Sequence, residues 1–172
     1  MRALVVVESS FGNTRAVAEA VAEGLGDAEV RSVETAPDEL GGIDLLIVGG
    51  PTHAFGMSRD ATRAEAMRQG APGETGRPGI REWLASLDPP EGLAVATFDT
   101  RVAKARHLPG SAARAAARFL RRRRCVSVAR PESFFVVDTS GPLLEGELAR
   151  ARDWGVGVAR KALTEAARRS PS

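Results

Sequence analysis

The sequence predicts a doubly wound α/β domain, a five-stranded parallel sheet with helices on both faces in three α/β/α layers. Three observations carry this prediction. The runs 3–7, 44–50 and 93–98 are almost wholly apolar or glycine, as strands buried on both faces are. Segments with apolar residues at helical spacing alternate with those runs, which is the pattern of βαβ units with right-handed crossovers. The length of 172 residues suits one domain, spanning 1–172, and is short for two of ordinary size.

The elements follow in order. Ala3–Val7 reads as a buried strand, and Glu8–Asn13 as a polar loop. From Thr14, the residues Val17, Ala18, Val21, Ala22 and Leu25 fall on one helical face, with Gly24 and Gly26 as stop signals. Glu29–Val33 alternates polar and apolar residues, as an edge strand does. The second buried strand, Asp44–Gly50, leads into a loop from Pro51 to Arg59 and a helix over Asp60–Gln69. Gly70–Gly79 is a Gly/Pro-rich loop, and Ile80, Trp83, Leu84 and Leu87 mark a helix that Pro89–Pro90 ends. Leu93–Phe98 is the third buried strand, followed by a loop over Asp99–Pro109. Ser111 is placed to cap a helix with Ala113, Ala116, Ala117 and Leu120 inward. Cys125–Ala129 and Phe134–Val137 are strand-like. The last helix spans Glu145–Ala167, with Leu148, Ala151, Gly155, Val158, Ala159, Ala162, Leu163 and Ala166 on its inner side, and 168–172 form a frayed tail.

Composition narrows the function. The apolar fraction of 43% supports a normal core, and no apolar run approaches the roughly 20 residues of a bilayer span. The single cysteine, Cys125, excludes an internal disulfide framework and reads as an inert core thiol. No metal site is expected, and a cytoplasmic protein is. The net charge of +2 conceals opposed halves, −8 over residues 1–100 and +10 over 101–172. Arg121–Arg124 closes a helix, where cations complement the macrodipole. The run has no interleaved aromatic residue, so it reads as a solvated helix end and nucleic acid is not the expected partner.

Three loops leave the carboxyl ends of the central strands, at 8–14, 51–59 and 99–110. In a doubly wound sheet they converge on one crevice, where ligands bind. The first loop places Ser9, Ser10, Gly12, Asn13 and Thr14 before a helix N-terminus, a favourable seat for an anion. It lacks the lysine of a triphosphate loop and the glycine fingerprint of a dinucleotide site, so a single monoester phosphate on neutral donors fits best. A capped turn without a ligand is the alternative. No G-x-S-x-G is present, which argues against a serine nucleophile and leaves no catalytic residue assigned.

Residues 4–14, Leu-Val-Val-Val-Glu-Ser-Ser-Phe-Gly-Asn-Thr, with the alanine-rich helix to Leu25, resemble the start of a flavodoxin-like protein. Ser9, Gly12 and Thr14 match the family's hydroxyl-rich phosphate loop, and Phe11 stands where a middle hydroxyl is usual. Gly49-Gly50-Pro51-Thr52 resembles the second loop. The resemblance covers the whole chain and is most specific over 4–25 and 45–56. It implies strand order 2-1-3-4-5 and FMN as cofactor. The phosphate would sit on Ser9, Ser10, Gly12, Asn13 and Thr14, with Phe11 in the same cofactor-binding loop, and the ribityl chain would pass Pro51 and Thr52. The flavin ring would meet His53, Ala54, Phe55 and Gly56 on one side and Phe98, Asp99, Thr100 and Arg101 on the other. Family members usually stack the ring on Tyr, often with Trp. This chain has no Tyr, so His53 and Phe55 are the second-loop candidates. His53 has two readings, a flavin contact that titrates near neutrality or a loop residue bonded to backbone.

What the resemblance implies is electron transfer through a non-covalent flavin, with a redox partner protein or a small acceptor such as a quinone. A flavodoxin-fold NAD(P)H:quinone or flavin oxidoreductase is the alternative, and a flavodoxin-like binding module without FMN is a second. The near-neutral charge counts against an acidic carrier of the usual kind. Oligomeric state is left open.

Overall fold

The computed structural model describes residues 1–26, 28–53, 56–72 and 77–169. Its strands are β1 (Ala3–Val7), β2 (Ala28–Ser32), β3 (Leu45–Pro51), β4 (Ala94–Val102), β5 (Val126–Ser127) and β6 (Glu132–Val136). Among the described residues the strands pair with one another in parallel, in the order β2-β1-β3-β4-β5, with β6 also on β4. The helices are α1 (Asn13–Leu25), α2 (Asp60–Arg68), α3 (Ile80–Ser86), α4 (Ala112–Arg122) and α5 (Glu147–Arg169).

The pleat sorts each central strand onto two cores. Leu4, Val6, Leu46 and Val48 pack with Ile80, Trp83, Leu84 and Leu120 under α3 and α4. Val5, Val7, Leu45 and Ile47 pack with Val17, Val21, Ala151 and Val158 under α1 and α5. Burial on both faces is why these strands read as continuous apolar runs.

The fifth strand position is occupied by two pieces. β5 pairs with Ala94–Val95 and β6 with Phe98–Val102, along the same edge of β4. Arg130–Pro131 falls between them, and Pro131 has no N–H for the ladder.

Three expectations are corrected. β4 runs on through Asp99, Thr100 and Arg101, which sequence reading places in a loop, because these polar residues find buried partners described below. On α5, Leu148 and Leu163 are exposed rather than inward. The helix meets α1 along a narrow seam of Ala151, Gly155, Val158 and Ala162. A Cβ on Gly155 would strike the Val21 backbone, and one on Gly24 the Arg152 backbone, so both glycines are required by close approach. Arg168 and Arg169 belong to α5 rather than to a frayed tail, and Arg169 pairs with Glu165 at 2.9 Å. The rest of that tail, 170–172, lies outside the described residues.

The arginine run divides. Arg123 donates to the Leu87 carbonyl at 2.7 Å and stacks on Phe119, whereas Arg124 turns back at φ +62° and pairs with Glu91 at 3.3 Å. Arg121 and Arg122 are exposed. Cys125 is buried, and burial pushes its thiol pKa up. Among the described residues, no helix is long and apolar enough to cross a membrane.

Candidate functional site

The carboxyl ends of β1, β3 and β4 carry the loops that form the site. After β1, the Ser9 hydroxyl accepts from the amides of Gly12 at 3.1 Å and Arg15 at 3.2 Å, drawing the loop into a ring against the start of α1. Gly12 sits at φ +89°, the left-handed region, and a Cβ there would meet no heavy atom within 4 Å, so the demand for glycine is torsional rather than steric. The Ser9 hydroxyl hydrogen is still available to a ligand. The amides of Asn13 and Thr14 lie in the first turn of α1, where no intrahelical acceptor exists.

Thr14 and Thr100 share a buried hydrogen bond of 2.7 Å between their hydroxyls. One hydrogen satisfies that bond, which leaves the other hydroxyl hydrogen for an acceptor in the adjoining cavity. Thr52 donates to Asp99 at 2.9 Å and accepts from the Ala112 amide at 3.0 Å, so its hydroxyl is committed to the start of α4. Asp99 is fully buried, and the same oxygen accepts from Ser111 at 2.5 Å and the Ala113 amide at 3.1 Å. Arg101 folds over the third loop and donates to the carbonyls of Ala105, Leu108 and Gly110. Its Nε has no hydrogen-bond partner among the described residues.

A cavity of about 220 Å³ opens between these loops. It is lined by Ser10, Phe11, Asn13 and Thr14, by Pro51, Thr52 and His53, and by Thr100 and Arg101. Ser9 and Gly12 shape the loop behind it. Most of the described site residues predicted from sequence thus gather at one cleft, and Phe98, Asp99 and Gly56 do not line it. The Phe98 side chain is not at the cleft. It lies in the core, its ring edge-on to Phe134 at 5.9 Å and Trp154 at 6.1 Å. Asp99 lies beneath the cleft and acts on it through Thr52. Gly56 closes a short loop by exchanging backbone bonds of 2.9 Å with His53. Ala54 and Phe55 lie outside the described residues.

A fourth segment reaches the cleft that sequence reading missed. Thr139 lines it with Val102 and Val136, and the Asn13 side chain donates to the Ser140 carbonyl at 3.1 Å. The turn residues Asp138-Thr139-Ser140-Gly141 after a strand were the available signal. Among the described residues, no group of three or more His, Cys, Asp or Glu could hold a metal ion.

A buried acid, Glu8, and a half-buried base, His53, flank the cleft. Glu8 accepts from the Ile80 amide at 2.8 Å, at the start of α3, and its other oxygen has no described partner. Burial lowers the His53 pKa below its ordinary value; Glu8 opposes this shift and Arg63 adds to it. His53 is therefore neutral at pH 7. A histidine whose folded pKa is depressed takes up its proton more readily when unfolded. Stability is expected to fall as pH drops below about 6.5 toward the folded value, with a slope of at most about 1.4 kcal/mol per pH unit. Urea unfolding of the wild type and His53→Gln from pH 8 to pH 5 checks this. The variant should show the shallower decline, and parallel curves would refute the assignment.

No protein-family model matches the sequence, and no curated protein matches it. Solved structures do. A flavodoxin from the domain Archaea is 22% identical with a TM-score of 0.65, over 95% of this chain and 99% of that one. Oxidised flavodoxin 2 from Bacillus cereus is 18% identical with a TM-score of 0.68, over 94% and 99%. A WrbA-like flavodoxin from Agrobacterium tumefaciens is 18% identical with a TM-score of 0.56, over 95% and 98%. With this topology and near-complete coverage of both chains, the protein has the flavodoxin-like fold.

Proposed function

We propose that the cleft binds FMN and that the protein transfers electrons through this non-covalent flavin. The observation that carries the reading is the first loop. A left-handed Gly12, free hydroxyl hydrogens and unpaired helix-start amides converge where a cavity opens at the strand ends. Such neutral donors fit a phosphate monoester. The likeness of fold to flavodoxins supports the same cofactor.

The residues present fit FMN in kind. Ser9, Ser10, Thr14 and the amides of Asn13 and Thr14 would hold the phosphate. Thr52 offers no free hydroxyl hydrogen, so Pro51 and Thr52 would border the ribityl chain by shape. Phe11, Pro51, Val102 and Val136 provide apolar surface for the ring, neutral His53 adds a flat face, and Arg101 adds a positive charge. FMN, when bound, supplies the redox chemistry. The chain would orient it, shield it and tune it. We read the protein as a carrier, with a redox partner protein or a quinone-type acceptor receiving the electrons.

The decisive experiment is titration of FMN with the purified protein. Stoichiometric quenching of flavin fluorescence and a perturbed visible spectrum are expected. Free-FMN fluorescence at saturating protein would overturn the reading.

A further inference from the structure

We propose that the groove between α4 and α5, at the β5 edge of the sheet, docks an acidic helical segment of a partner protein. The groove is open to solvent and offers about 640 Å³ of space over its lining. Arg114, Arg118 and Arg121 stand along one wall on α4, Lys161 projects from α5, and Arg130 follows β5. Among the described residues, no acidic one lines it. All five cations are exposed, and none joins an ion pair among the described residues. Most arginines of the acidic half are paired by contrast, Arg15, Arg31, Arg63 and Arg68 among them. Ala117, Val128, Ala129 and Pro131 give the groove an apolar component between these charges.

The spacing selects the partner. Positions 114, 118 and 121 form an i, i+4, i+7 stripe about 10 Å long. Acidic residues at the same spacing on a second helix would face it, with small apolar side chains between them against the groove. A compact phosphate would meet too few of these cations at once. Single-stranded nucleic acid is recognised by stacking on aromatic side chains, and among the described residues none lines this groove. Lack of internal partners leaves the positive field open to steer an acidic protein. The inference does not depend on FMN. The groove begins within the first turn of α4, whose start Thr52, Asp99 and Ser111 hold at the cleft.

The test is fluorescence anisotropy with a labelled alanine-based peptide of about 15 residues, long enough to be helical, bearing Glu at i, i+4 and i+7. Saturable binding that weakens with salt is expected, with a peptide of scrambled spacing binding less tightly. Arg114→Glu/Arg118→Glu/Arg121→Glu should weaken binding by about tenfold or more. Lys161→Glu on the opposite wall should weaken it independently, which keeps the test open should the triple variant misfold by circular dichroism. Arg122→Glu/Arg160→Glu/Arg168→Glu changes the net charge equally outside the groove and should leave binding intact. Equal binding of the scrambled peptide, equal loss in the charge-matched control, or tighter groove-dependent binding of an oligo-dT probe would each overturn the proposal.

Discussion

Asp99→Ala is expected to lower the unfolding free energy by about 4 kcal/mol. One carboxylate oxygen of Asp99 accepts three bonds, from the hydroxyls of Thr52 and Ser111 and the amide of Ala113. Alanine would leave three donors facing a space with no acceptor. Each buried donor without a partner costs about 1–3 kcal/mol. The hydroxyls can rotate and recover part of that, while the Ala113 amide is fixed at the start of α4. Asp99→Asn retains an oxygen for the same donors, so its cost should be about 1–2 kcal/mol. Urea denaturation of the three proteins checks the ranking. An alanine variant within 1 kcal/mol of wild type would show that the hub does not hold β3, β4 and α4 together.

Ser10→Ala/Thr14→Val is expected to weaken FMN binding by about 3 kcal/mol, roughly a hundredfold in Kd. Ser10 and Thr14 both line the cleft, and hydrogen bonds to a charged phosphate are each worth about 1.5–3 kcal/mol. Thr14→Val also breaks the bond to Thr100. Thr100→Val breaks that same bond but keeps the Thr14 hydroxyl, so it separates phosphate contact from local support. It should retain most of the affinity. Fluorescence titration of FMN reads both. Undiminished affinity in the double variant would move the phosphate away from this loop.

The parts of the site that were legible in sequence lie next to the parts of the fold that were. Glu8–Thr14 and Pro51–Thr52 directly follow β1 and end β3, and both strands are marked by apolar runs. Gly12 and the hydroxyl cluster announce a tight turn that can approach an anion. The end of β4 was not legible. Asp99, Thr100 and Arg101 look like loop residues because local pattern registers polarity and nothing else. Their partners are distant in sequence, with Thr52 47 residues from Asp99 and Thr14 86 from Thr100. Phe98 was misplaced for a related reason. A residue at a strand end faces either the cleft or the core, and the aromatic packing with Phe134 and Trp154 decides for the core. The segment holding Ser140 was missed because its link to Asn13 spans 127 residues.

By itself the sequence determined the alternation of strands and helices, the strands at the centre of the sheet and the loops that leave their carboxyl ends. These follow from the period and continuity of apolar residues, which are local properties of a chain that must bury its strands on both faces. Only the tertiary structure decided which polar residues are buried and bonded, that α5 meets α1 through Gly155 rather than Leu148 and Leu163, and that five scattered cations share one groove. Those outcomes depend on which side chains meet across long loops, and no local pattern carries that information.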